Sequence, residues 1–174
     1  MTETWLHDVE AWREFYLLVG TGGATLVGLM FVVVSLGPQA IAAQKSADVR
    51  AFFTPIVVDF AAALVISGLM MTPQLTPIMI ALALAPIGAA GICYQIFNGA
   101  HREWQVNKLA FVDWIWFVGL PILSYAILLA AALAFATQTP FGLFAVGAAA
   151  LLLIVIGIRN AWDVVLWMAE QPRS

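Results

Sequence analysis

Charged side chains are scarce in this chain of 174 residues. Seven Lys or Arg and ten Asp or Glu make up 10% of it, while 63% of the residues are hydrophobic. Soluble domains are typically about 45–50% apolar and about 25% charged. So few charges cannot cover the surface of a soluble fold with this much apolar sequence. We therefore expect the lipid bilayer to surround the chain, as it does for an integral membrane protein.

The chain also lacks a run of Lys or Arg, and its net charge is −3. Nucleic acid is not an expected partner, because phosphate backbones are bound by basic clusters. Cys93 is the single cysteine, which excludes an internal disulfide and a cysteine-ligated metal centre. His7 and His101 fall on opposite sides of the topology predicted below, so we predict no metal site and no cofactor.

Sequence motifs of enzymes are missing as well. The chain has no serine-nucleophile motif, no phosphate-binding glycine loop followed by Lys, and no paired catalytic carboxylates. We therefore predict no catalytic residues and no enzyme. An enzyme that acts on lipid inside the membrane remains an alternative, ranked last for want of a catalytic pair.

Long apolar runs are what the chain has in abundance. Stretches that can cross a hydrocarbon layer of about 30 Å lie near residues 15–36, 52–71, 78–97, 109–136 and 141–158. The last continues to about residue 168 with polar residues suited to the interface. Residues 1–14 are predicted to form a short amphipathic helix on the outer surface. The prediction is an all-α fold in which residues 1–174 form one membrane domain, a bundle of five transmembrane helices.

The basic residues predict the orientation of this bundle. Arg13 is the only basic residue on the side that holds the N-terminus and the two proline-bearing turns. The opposite side receives Lys45, Arg50, Arg102, Lys108, Arg159 and Arg173. Because Lys and Arg are enriched in cytoplasmic loops, we predict that the N-terminus is outside and the C-terminus is in the cytoplasm. The expected location is the plasma membrane, specifically a bacterial inner membrane.

Polar residues inside the spans are the main functional signal. Asp59 lies seven or eight positions inside the second span, where an ionised carboxylate is costly and needs a partner or water. Gln95, Asn98, Asn160 and Asp163 fall at a similar depth and form a predicted inner polar layer. Arg159 lies somewhat closer to the cytoplasm, and we predict that Asp59 is coupled to it directly, or through water and the side chains of Gln95, Asn98 and Asp113. Two interpretations remain open. The layer takes part in permeation, or it is an ion-pair network that only fixes helix register.

Small residues mark the first span. Gly20, Ala24 and Gly28 stand four residues apart, and small side chains let helix backbones approach one another in lipid. We predict that this face packs closely, either inside the bundle, against a second copy or against a membrane partner protein; a pore-lining helix is a further alternative.

Two functions from different classes follow. The first is an oligomeric channel or transporter for ions or small solutes that uses the polar layer around Asp59. The alternative is a non-catalytic membrane scaffold or accessory subunit that associates through the Gly-rich first span. The outer half of the spans is almost entirely aliphatic, which argues against a simple open pore because such a pore needs polar lining on both sides.

Overall fold

A computed structural model describes residues 3–36, 46–105, 111–139 and 141–170. The regular elements of these ranges are helices: α1 (Glu3–Leu36), α2 (Ser46–Met70), α3 (Pro77–Gln105), α4 (Phe111–Trp114), a π-helical segment (Ile115–Gly119), α5 (Leu120–Ala136) and α6 (Phe141–Glu170). Within them, five helices are long and apolar enough to cross a membrane. The predicted all-α fold, with five helices long and apolar enough to span a membrane, is confirmed over the described ranges. The orientation of these helices stays a prediction.

The apolar windows of these helices correspond to the predicted spans. They are His7–Ser35, Phe53–Met70, Pro77–Gly99, Ile115–Ala136 and Phe141–Leu166. The main difference lies at the N-terminus, where a separate surface helix over residues 1–14 was expected. Instead, α1 is one continuous helix from Glu3 to Leu36.

Aromatic packing explains why α1 continues unbroken. The Trp5 ring meets the Phe135 ring edge to face, with 5.8 Å between centroids, and Trp12 meets Phe144 in the same way at 4.7 Å. Helices α5 and α6 thus cover the apolar face of residues 3–14. This segment can therefore continue along the axis of α1 and does not have to bend away to bury its apolar face in lipid headgroups.

Two tight turns join α2 to α3 and α5 to α6. Gln74 and Gln138 hold them with positive φ angles of 64° and 56°, the left-handed region that a reversal of the chain often requires. These turns and the start of α1 lie at one end of the bundle, called here the hairpin end. Helices α5 and α6 pack along each other, whereas α3 packs mainly on α5, and α2 packs mainly on α1 and α6.

Buried apolar side chains form two clusters. The larger one fills the hairpin half of the bundle and includes Tyr16, Val19, Ala63, Ile66, Met70, Leu84, Leu128, Phe135, Val146 and Leu153. The smaller one lies toward the opposite end and consists of Met30, Phe53, Ile56, Phe60 and Val164. On α2 the first cluster begins at Ala63 and the second ends at Phe60, so Asp59 lies where the two meet.

The predicted small-residue face of α1 is divided between the bundle and its outside. A Cβ atom added at Gly20 would lie 3.0 Å from the Ser67 Cβ, so this glycine lies against α2. Ala24 and Gly28 are exposed, and a Cβ at Gly28 would meet nothing within 4 Å. Gly23, which the four-residue spacing did not single out, makes the second close approach, 3.0 Å from the Phe60 carbonyl oxygen.

Candidate functional site

A buried carboxylate lies at the meeting point of three helices. Asp59 of α2 is only 1% exposed. Gln95 of α3 donates an Nε2–H to its Oδ1 over 3.1 Å, and Tyr125 of α5 donates its hydroxyl to the same oxygen over 3.4 Å. We call these three residues the acidic centre. Both donors point at one carboxylate oxygen, and a hydrogen bond to a charged acceptor is stronger than a neutral one.

A glycine on α3 positions the tyrosine. A Cβ atom at Gly91 would lie 2.2 Å from Cδ1 of Tyr125, far inside van der Waals contact. The phenol ring therefore occupies a notch that only glycine leaves on α3, and this notch aims the hydroxyl at Asp59. Tyr125 was not among the predicted site residues, although Ser124 and Tyr125 carry hydroxyls in the otherwise apolar run of α5 and were a signal that could have found it.

One acceptor of the acidic centre lacks a donor. Gln95 is fully buried, and while its Nε2 donates to Asp59, its Oε1 has no hydrogen-bond partner among the residues that the structure describes. A buried acceptor in this state costs about 1–3 kcal/mol. The carboxylate thus has beside it an oxygen that a proton donor or a cation would satisfy.

Arg159 belongs to a second polar group on α6. Its guanidinium forms an ion pair with Asp163, one turn further along the same helix, and lies over the Trp116 ring at 5.8 Å from the centroid. The structure thus brings Gln95 directly to Asp59, whereas the contacts that it gives for Arg159 are to Asp163 and Trp116. The spacing of four residues between Arg159 and Asp163 suits a pair on one helix face.

Asn160 completes this second group by capping the π-helical segment. Within that segment, the Leu120 N–H reaches back five residues to the Ile115 carbonyl. The next bond in this register would run from residue 121 to the Trp116 carbonyl, but Pro121 has no N–H to donate. Nδ2 of Asn160 supplies the missing donor over 3.3 Å. Asn160 is 2% exposed, so its amide replaces a backbone bond inside the protein.

Two further residues of the predicted coupling are Asn98 and Asp113. Asn98 is half-buried on α3, three residues beyond Gln95. Asp113 lies on α4, and its side chain is outside the described part of the structure. Coupling of either residue to Asp59 stays a prediction.

Openings exist at the hairpin end, away from the acidic centre. Cavities of about 460 Å³ and 350 Å³ flank Trp5. Their walls are the start of α1, the two turns and the adjoining helix ends, and they do not include any member of the acidic centre. The larger apolar cluster lies between these cavities and Asp59.

The described residues contain no group of three or more His, Cys, Asp or Glu side chains that could hold a metal ion. Comparison of the chain with protein-family models, with curated proteins and with solved structures finds no match in any of the three. The acidic centre must therefore be interpreted from its own geometry.

Proposed function

We propose that the protein is a small membrane transporter in which a monovalent cation binds at the acidic centre. The observation that supports this function is the buried Asp59 carboxylate at the junction of α2, α3 and α5, with the partnerless Oε1 of Gln95 beside it. An ionisable side chain in the interior of a membrane bundle is expensive to keep, and such residues commonly mark ion pathways.

The packing of the hairpin half favours a transporter over an open pore. On this side of Asp59, Ala63 and Ile66 of α2 and Leu128 of α5 are fully buried in the larger cluster. A pore needs a continuous polar or hydrated path. An ion that reaches Asp59 from the hairpin end requires these helices to separate, as they do in alternating access.

The arrangement of the helices links cation binding at Asp59 to the separation of the helices around it. Helix α3 packs mainly on α5 and makes little contact with α2. The hydrogen bond between Gln95 and Asp59 is thus a direct polar link across a sparsely packed pair of helices. A cation at the carboxylate alters this hydrogen bond, so binding changes the attachment of α2 to the pair α3 and α5.

The test is cation flux through purified protein in liposomes under imposed ion gradients, monitored for protons, sodium and potassium. Wild-type protein should carry one of these ions, and Asp59→Asn should reduce the flux to that of protein-free vesicles. Asp8→Asn makes the same chemical change near the start of α1, and it should leave the flux intact. Absence of flux in the wild type, or unchanged flux in Asp59→Asn, would contradict the proposal.

The exposed part of the α1 face supports a second candidate function, that of a scaffold or accessory subunit. Ala24 and Gly28 are exposed, and a Cβ at Gly28 would meet no described atom within 4 Å, so they offer a surface on which another helix backbone can approach closely. Gly28→Leu would block that approach without touching the bundle. A changed particle mass in detergent, in a protein that moves no ions, would favour this function over transport.

A further inference from the structure

We propose that the cation taken by the acidic centre is a proton and not a metal ion. The inference rests on the proposed transport function and specifies its substrate. It follows from which atoms around Asp59 offer hydrogens and which offer lone pairs.

Metal cations bind where several oxygen lone pairs converge, for example six or more oxygens in Ca²⁺ and Mg²⁺ sites. Two groups that the structure describes at Oδ1 of Asp59 present hydrogens instead, an amide N–H from Gln95 and a phenol O–H from Tyr125. Both would have to turn away before a metal ion could bind there. A proton needs a single lone pair of the carboxylate and no converging ligands.

The partnerless oxygen of Gln95 fits a protonated Asp59. A carboxylic acid carries one O–H donor that a carboxylate lacks. In the structure, Nε2 of Gln95 donates to Asp59, and its Oε1 has no donor among the described residues. Rotation of the amide by half a turn presents Oε1 to the acid O–H. Each protonation state thus has its own hydrogen bond between the same two side chains.

The binding step is a simple proton transfer. A hydronium ion gives its proton to the Asp59 carboxylate, one O–H bond breaks in hydronium and one forms on the acid, and a water molecule is left. Release on the other side of the membrane is the reverse transfer to water. No electrons move, and no co-reactant is needed.

The other described titratable groups near the centre do not compete for this role. Tyr125 reaches Asp59 from α5, and Tyr94 precedes Gln95 on α3; both are phenols, which are neutral at physiological pH. On α6, the charges of Arg159 and Asp163 neutralise each other in their ion pair. On α1, the Tyr16 hydroxyl donates to the Leu143 carbonyl.

Proton flux in liposomes tests the inference. Vesicles that contain a pH-sensitive dye are given a pH gradient, with potassium and valinomycin fixing the membrane potential and choline replacing sodium. Wild-type protein should dissipate the gradient at the same rate with sodium or choline. A parallel measurement follows radioactive sodium uptake, which should equal that of protein-free vesicles.

Variants at the acidic centre make the test specific. Asp59→Asn should abolish proton flux, and Asp8→Asn should not change it. Tyr125→Phe keeps the ring and removes one donor to the ionised carboxylate, so it should shift the pH dependence of flux toward alkaline pH. If Asp59→Asn fails to fold, Tyr125→Phe and Gln95→Leu decide the matter, because both leave the carboxylate in place and remove one of its described contacts.

The outcomes separate this inference from the proposed function. Sodium uptake that depends on Asp59, without proton movement, would overturn the assignment of the proton as the transported cation. The proposed function as a transporter would still hold. Absence of every ion flux in folded wild-type protein would overturn both. Proton flux whose pH dependence is unaffected by Tyr125→Phe and Gln95→Leu would also overturn the assignment of the proton to this centre.

Discussion

Substituting Gly91 by Ala adds one methyl group at the point where α3 receives the Tyr125 ring. The new Cβ would lie 2.2 Å from Cδ1 of Tyr125, whereas unstrained carbon atoms stay about 3.5–4.0 Å apart. The ring and helix must therefore separate by more than about 1 Å. The hydroxyl bond to Asp59 is already 3.4 Å long, so a displacement of this size away from the carboxylate breaks it.

The energetic cost can be bounded. Overpacking of a well-packed interior by one methyl group costs about 1–3 kcal/mol, and replacement of Gly by Ala within a helix returns about 0.5–1 kcal/mol. Gly91→Ala should therefore destabilise the protein by about 0–2.5 kcal/mol. Gly28→Ala is the matched control, because its Cβ meets nothing within 4 Å. It should stabilise the protein by about 0.5–1 kcal/mol, so the two variants should differ by about 1–3 kcal/mol.

Unfolding in mixed micelles, followed by circular dichroism, measures both variants against the wild type, and the liposome assay measures their proton flux. Gly91→Ala should be the less stable of the two and should lose part of its flux. Adding Tyr125→Leu to Gly91→Ala removes the clashing ring, so the two changes should be non-additive in stability. Equal stability of Gly91→Ala and Gly28→Ala would refute the notch as the device that positions Tyr125.

Other predictions concern the rest of the bundle. Asn160→Leu leaves the Trp116 carbonyl without its donor, so unfolding should become easier by about 1–3 kcal/mol; an unchanged unfolding curve would contradict the capping role. Tyr16→Phe removes a 2.7 Å bond to the Leu143 carbonyl and should cost about 1 kcal/mol, measured in the same assay, where no loss would mean that this bond adds nothing. A reporter fused after Ser174 should be active only in the cytoplasm, and activity only outside would reverse the predicted orientation.

The spans could be predicted because their signal is compositional. Runs of apolar residues as long as the bilayer is thick leave few alternatives to a transmembrane helix. The position of the first residues of α1 was harder to predict from the sequence, because an amphipathic segment can pack its apolar face on lipid or on protein. Contacts of Trp5 and Trp12 with α5 and α6 decide between the two, and these helices are distant in sequence.

The depth of Asp59 could likewise be estimated from its position in the span, but its contacts could not. Helices that are apolar on all sides carry little information about their rotation, and rotation determines which side chains meet. Gln95 was in the predicted layer and Tyr125 was not, although both donate to the same oxygen. Pro121 predicts only a local disturbance of a helix, so the π-helical register and the role of Asn160 required the structure.

The π-helical segment also sets the angular position of the acidic centre. A register change to α-helix there shifts each later residue by one place, and one residue corresponds to about 100° of turn at 3.6 residues per turn. Tyr125 follows the segment on α5, so such a change would swing its phenol out of the Gly91 notch and away from Asp59. By its hydrogen bond to the Trp116 carbonyl, the amide of Asn160 therefore stabilises the π-helical register and with it the rotation of α5. Through this hydrogen bond, a residue of α6 helps to determine whether the Tyr125 hydroxyl, further along the chain on α5, can reach the Asp59 carboxylate.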